Sequence, residues 1–229
     1  LLCCLYQISF FMNLTSNINS AGDYSFLFPG IVGQLELELT IPEYAHPDYI
    51  AIIGHPHPLH GGTMHNKVVT TLVRTFKELS IASLRFNFRG VGQSAGEFDA
   101  GIGESEDMLL IARAWLKERP TARIIFAGFS FGSYVAFRAA AQCPRALLIT
   151  VAPPVHHFDY TAFNAVPTPW FVVQGDEDDV VPEDLVLAFV KPRPSLKYLH
   201  FPKAGHFFHG KLLELKQRLI DAIEAVGLL

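Results

Sequence analysis

Short apolar runs alternate with helical periods along this chain, and that alternation limits its fold more than any other feature. Tyr49–Gly54 (YIAIIG) is an unbroken apolar run, as a strand buried on both faces requires. Ile81–Phe88, Arg123–Gly128, Ala146–Val151, Trp170–Gln174 and Leu196–Phe201 are further strand candidates. Gly33–Ile41 (GQLELELTI) instead alternates Leu with Glu, the pattern of a half-buried strand at a sheet edge. Between the runs, Val68, Leu72, Phe76 and Leu79 recur every three or four residues. So do Met108, Ile111, Ala112, Trp115 and Leu116, with Glu106 and Asp107 early, Lys117 and Arg119 late, and Pro120 as the stop. That charge order suits the helix dipole. Leu212, Leu215, Leu219, Ile223 and Val226 mark one face of a last helix. These stripes read as core packing. Strands alternating with helices predict an α/β fold, a mostly parallel twisted sheet with helices on both faces. Ligands in such sheets sit beyond the carboxyl ends of the strands, so the residues that follow each strand are where chemistry is expected.

The length of 229 residues suits one α/β domain. Apolar residues at 50% and charged residues at 17% exclude a disordered chain. The net charge of −4 offers no positive field for a nucleic-acid backbone. No apolar run is long enough to span a membrane. Three cysteines, Cys3, Cys4 and Cys143, do not make a disulfide framework, so a reducing, cytoplasmic setting is expected. Residues 1–23 read as an N-terminal extension and 24–229 as a single domain. Within the extension, Leu1–Phe11 is apolar but lacks the basic start and small-residue cleavage site of a signal peptide. It is read as sequence upstream of a natural start at Met12, with a truncated export signal as the alternative.

Three of the strand ends carry chemistry. After Arg123–Gly128 comes Phe129-Ser130-Phe131-Gly132, so Gly128-x-Ser130-x-Gly132 falls in a strand–turn–helix context. Such a turn strains the serine backbone and projects its hydroxyl from the sheet, and side chains two residues to either side would collide with neighbouring backbone. A helix-capping serine in a glycine-rich turn is the plainer alternative. After Trp170–Gln174 comes Asp176-Glu177-Asp178-Asp179, either a solvated loop or the source of a carboxylate to orient an imidazole. After Leu196–Phe201 comes Ala204-Gly205-His206, a loop histidine that could serve as general base. With ten histidines in the chain, this one has meaning only beside the other two groups.

The order Ser130, an Asp near 178, then His206 is that of the α/β-hydrolases, and the sequence resembles that superfamily from about Phe26 to its end. Further matching segments are Gly54-His55-Pro56-His57-Pro58-Leu59-His60-Gly61-Gly62 and Arg85-Phe86-Asn87-Phe88-Arg89-Gly90-Val91-Gly92-Gln93-Ser94-Ala95-Gly96. The chain looks most like the small, lidless bacterial hydrolases of the superfamily. The resemblance implies an α/β-hydrolase fold without a cap domain, Ser130 as nucleophile and His206 as base. The pattern G-x-x-D-x-x-V-P, on Gly175, Asp178, Val181 and Pro182, implies Asp178 as the acid, with Asp179 and Asp176 as fallbacks. Many relatives carry His-Gly after the strand that ends at Gly54; here His55-Pro56-His57-Pro58 stands instead. Proline has no N–H. By position, the oxyanion donors are the backbone N–H groups of Phe131 and His57, with Leu59 as a rival to His57.

Eighteen residues, 152–169, separate the strands at Ala146–Val151 and Trp170–Gln174, too few for a cap with its own core. An open site is therefore expected, floored by Phe129, Phe131 and His156 or His157, with Phe207 and Phe208 nearby. The expected function is a serine hydrolase, a carboxylesterase on small or acyl-chain esters that needs no cofactor and no metal. Two alternatives stand beside it. One is a non-catalytic binding protein on the same fold. The other is a metal-dependent hydrolase using His55, His57 and His60, with His65 close in sequence. Thioesterase, peptidase and lipase variants belong to the first class.

Overall fold

In the computed structural model, residues 17–163 and 167–227 are described; the readings made on Leu1–Phe11, Met12, Cys3 and Cys4 lie outside them. The strands are β1 (Gly22–Pro29), β2 (Gln34–Ile41), β3 (Tyr49–Gly54), β4 (Ala82–Phe86), β5 (Arg123–Phe129), β6 (Leu147–Val151), β7 (Trp170–Gly175) and β8 (Leu196–Phe201). The helices are α1 (Lys67–Glu78), α2 (Ile102–Glu118), α3 (Phe131–Ala140), α4 (Glu183–Val190) and α5 (Leu212–Ala225). The strands form one sheet in the order β1-β2-β4-β3-β5-β6-β7-β8. β1, β2 and β4 pair antiparallel, and every pair from β4–β3 to β7–β8 is parallel.

The two faces of β3 and β5 divide the core. Ile50, Ile52, Ile124 and Phe126 pack with α2 and α3, whereas Ala51, Ile53, Ile125 and Ala127 pack with α1 and α5. Alternate residues of a strand point to opposite faces, so a strand covered by helices on both sides must be apolar throughout. All six residues of β3 are buried accordingly.

Two sequence expectations need correction. Gln34–Ile41 is a strand, but it is not the edge. β1 pairs along its whole length, from Gly22 opposite Ile41 to Pro29 opposite Gln34. β1 alternates, with Tyr24, Phe26 and Phe28 on the core side and Asp23 and Ser25 exposed, but the pattern is short and lies at the expected border of the N-terminal extension. The division drawn between residues 23 and 24 runs through this strand, and Ile18 before it is packed into the core.

The chain leaves β3 for β4 on one side and returns to β5 on the other. Their connections therefore part at the carboxyl ends of β3 and β5, which opens a crevice there. The loop after β4 borders it and is fastened by a buried ion pair. Arg89 Nε donates to Asp107 Oδ2 at 2.7 Å, and the N–H of Ile31 donates to the other oxygen at 3.3 Å. Asp99 and Glu106 lie 3.6 and 3.9 Å from the remaining guanidinium nitrogens. Arg89→Met leaves the Asp107 charge buried without its cation, so it should cost about 3–5 kcal/mol. Adding Asp107→Leu should recover part of that loss. Urea unfolding of the two variants checks this, and equal stabilities would contradict it.

Candidate active site

The crevice is built on a close approach of backbones. Gly54 of β3 lies opposite Gly128 of β5, and Gly132 in the first turn of α3 packs onto both. A Cβ on Gly132 would collide with the Gly54 carbonyl and lie 2.5 Å from the His55 oxygen. One on Gly128 would collide with the Gly132 carbonyl and lie 2.6 Å from Ser133 N. Between the two glycines the chain must reverse from strand to helix. Ser130 does so at φ 53°, ψ −123°, a backbone conformation that persists only where its surroundings impose it. Its N–H donates to Val151 O of β6 at 2.8 Å and its carbonyl accepts from Ser133 N at 2.8 Å.

Two other strand ends meet this serine. His206 Nε2 lies 3.1 Å from Ser130 Oγ, and His206 Nδ1 lies 2.9 Å from Asp178 Oδ2. Asp178 Oδ1 accepts the N–H groups of Val180 at 2.9 Å and Val181 at 2.7 Å. Gln174, the penultimate residue of β7, donates to Asp178 Oδ2 at 3.1 Å. Burial disfavours the Asp178 charge, but the hydrogen bonds from His206, Val181 and Val180, with the His206 charge, outweigh it and hold the carboxyl below its ordinary range. The carboxylate therefore fixes Nδ1 as the protonated ring nitrogen and leaves Nε2 free to accept from the serine. Of the acidic run, Asp178 alone is buried. Asp179 is exposed, and Asp176 accepts the Lys203 N–H at 2.6 Å and faces His200.

The turn after β3 closes the other side. His57 accepts the Leu59 N–H at Nδ1, 3.3 Å away. The N–H groups of His60 and Gly62 donate to His57 O, and that of Gly61 to Pro58 O. Leu59, the rival for oxyanion donor, thus has its N–H committed inside the turn. Phe131 begins α3 immediately behind Ser130, where helix N–H groups have no partner within the helix. A cleft of about 230 Å³ is lined by His57, His60, Gly62 and Asn66 from the first turn, Val180 and Phe207 from later loops, and Ser130 and His206.

Its floor differs from expectation. Phe129 and Phe131 are fully buried. They support the site from behind, with ring centroids 4.9 Å from His206 and 5.0 Å from His57. Phe208 is a core residue packed on Phe201 at 5.4 Å. The His156 and His157 rings lie 3.8 Å apart, tilted by 42°, and neither lines the cleft.

The histidine cluster does not converge as a metal site. His55 is buried and has both ring nitrogens engaged, Nε2 accepting the Phe88 N–H at 2.9 Å and Nδ1 on Pro56 O at 2.7 Å. His57 and His60 stack at 4.6 Å. Among the described residues, no three His, Cys, Asp or Glu side chains are grouped to hold a metal. His55 is instead a tie between the loops after β3 and β4. Gln174 and Tyr160, which bonds to Ser133, were not legible as site residues, since a lone buried Gln or Tyr has no spacing pattern.

An open α/β sheet with a serine on a strained strand–helix turn, hydrogen-bonded through histidine to a buried aspartate, defines the architecture of a serine-type α/β hydrolase. The family described as serine aminopeptidase, S33, matches residues 57–163. An uncharacterized protein of Rickettsia prowazekii is 36% identical over 184 residues, 75% of this chain and 77% of its own length. A solved α-β serine hydrolase homologue from Coxiella burnetii is 45% identical, with a TM-score of 0.83 over 87% of this chain and 97% of that one. Another, from Xanthomonas campestris and described as an a/b serine hydrolase without lid, is 39% identical, with a TM-score of 0.84 over 89% and 94%. The chain belongs to the α/β-hydrolase superfamily and is a hydrolase of the lidless kind. Between β6 and β7 the described residues form no regular element, and no described helix is long and apolar enough to cross a membrane.

Burial pushes the His55 pKa down to about 4. The unfolded chain takes up a proton there near 6.5 that the folded protein refuses, so stability should fall as the pH drops from about 6.5 to about 4. The loss approaches about 3 kcal/mol if His55 stays neutral throughout. His55→Gln should flatten the curve in that window. Urea midpoints measured across the window test this, and an unchanged slope in the variant would contradict it.

Proposed function

We propose that this protein is a carboxylesterase acting on small or acyl-chain esters through Ser130, His206 and Asp178. The observation that carries the reading is the continuous line of hydrogen bonds, Ser130 Oγ to His206 Nε2 at 3.1 Å and His206 Nδ1 to Asp178 Oδ2 at 2.9 Å. Ser130 Oγ attacks the ester carbonyl while His206 Nε2 takes its proton. The carbonyl oxygen becomes an oxyanion, held by the backbone N–H groups of Phe131 and His57. Collapse breaks the bond to the alkoxy group, which leaves with the proton from His206. A water molecule then gives its proton to His206 and attacks the acyl-serine, and Ser130 recovers the proton as the acid departs. Asp178 remains ionised and stabilises the imidazolium throughout. No step uses a cofactor.

The cleft supports a small-molecule ester more than a peptide with a free amino terminus. Its described lining includes three imidazoles, one amide and the apolar Val180 and Phe207, and no Asp or Glu. An α-ammonium group would find no carboxylate partner there, whereas an apolar acyl or alkoxy group would meet Val180 and Phe207, each about half exposed. The negative net charge opposes a nucleic-acid substrate.

A fluorophosphonate probe should label the wild type on Ser130 and leave Ser130→Ala unlabelled. Short p-nitrophenyl esters should be turned over by the wild type with or without a chelator, while aminoacyl-p-nitroanilides should be poor substrates. Labelling of both proteins would overturn the assignment of the nucleophile. Absence of both labelling and turnover across acyl lengths would favour a binding protein, and chelator-sensitive turnover would favour a metal-dependent enzyme.

A further inference from the structure

The connection between β6 and β7 sends one buried side chain back to the Ser130 turn. Tyr160 OH lies 2.9 Å from Ser133 Oγ, and Ser133 Oγ lies 2.6 Å from the Ser130 carbonyl oxygen. The Ser133 hydroxyl has one proton. A carbonyl can only accept, so that proton goes to Ser130 O, and Tyr160 must donate to Ser133 Oγ. The direction of both bonds is therefore fixed: Tyr160 O–H to Ser133 O–H to Ser130 C=O. Ser133 N–H donates to the same carbonyl at 2.8 Å.

That carbonyl belongs to the peptide unit that carries the Phe131 N–H. The unit is planar and trans, so gripping its oxygen aims the N–H on the opposite side. Hydrogen bonds in a chain also polarise one another, by perhaps ~10–30% per bond, which makes an amide whose oxygen accepts two of them a stronger donor at nitrogen. Tyr160 cannot easily turn away. It is 5% exposed and packs on Phe137, Tyr134 and Phe189 with centroids 4.9, 5.5 and 5.6 Å away. Burial drives its phenol pKa upward, so it remains a neutral donor.

We propose that Ser133 and Tyr160 are positioning residues that aim and polarise the Phe131 N–H at the oxyanion. The inference rests on the esterase reading of the site. The β6–β7 connection, where a lid would otherwise enter, here supports the nucleophile turn from beneath.

The test is ester hydrolysis by wild type, Ser133→Ala, Tyr160→Phe and the double variant, each shown folded by circular dichroism. Tyr160→Phe keeps the aromatic packing and removes only the hydroxyl. Losing a whole oxyanion donor costs ~10²–10³ in rate; misaiming one should cost less. kcat should fall about tenfold in Ser133→Ala and about threefold in Tyr160→Phe, with KM unchanged. The Ki of a trifluoromethyl ketone, which forms an oxyanion on the enzyme, should rise by the same factors. Because Tyr160 acts through Ser133, the double variant should be no slower than Ser133→Ala. Unchanged kcat, losses that multiply in the double variant, or an effect confined to KM would overturn the inference. An active wild type with unaffected variants would overturn it alone, whereas a wild type that neither labels nor turns over any ester would overturn the esterase reading with it.

Discussion

The site depends on the contact between the backbone of β3 and the first turn of α3. Gly54, Gly128 and Gly132 let these chains meet at distances that any Cβ would forbid. The consequence is mechanical. With strand and helix this close, the reversal between them must be completed at Ser130, whose positive φ holds the backbone where the hydroxyl stands clear of the sheet. Neighbouring strands secure the strain, since β6 accepts the Ser130 N–H. Everything else at the site is arranged around a hydroxyl whose position the glycines have already set.

Its partners come from loops after β7 and β8, and the parallel sheet brings these to the same edge. Burying a carboxylate is costly unless it is hydrogen-bonded. Asp178 meets that condition with the N–H groups of Val180 and Val181, the Gln174 amide and the His206 ring. The charge is thereby retained out of water, where its hold on the imidazole is strongest. His55 applies the opposite strategy. It stays neutral, both nitrogens satisfied, and ties together the two loops that face this line. One buried group is kept charged and another uncharged, each by the hydrogen bonds it finds.

The parallel core was legible because strands covered on both faces must be apolar throughout, as Tyr49–Gly54 is. Ser130 and His206 were legible from their places after strands. Asp178 was singled out among four acids only by resemblance, because what separates it from Asp176 and Asp179 is burial, a tertiary property. β1 escaped notice although Tyr24, Phe26 and Phe28 alternate on its core side, because that pattern spans only a few residues beside the presumed border of an extension. α4 escaped too, since Leu185 and Leu187 remain exposed and blur its helical period. The adjacent histidines gave a misleading spacing: in three dimensions His55 is a buried tie and His57 stacks on His60. Tyr160 acts through a contact with Ser133, 27 residues away, and Gln174 through bonds inside its own strand-end turn to Gly175, Asp178 and Val181; neither arrangement has a residue spacing that marks it.

Ser130 and His206 work as one unit. The most direct measurement is the rate of p-nitrophenyl acetate hydrolysis by Ser130→Ala, His206→Ala and the variant carrying both. Residues that act as a unit lose their function together, so the double variant should be no slower than either single one, all three remaining at the same low residual rate. Losses that multiply in the double variant would show two independent contributions and contradict the account.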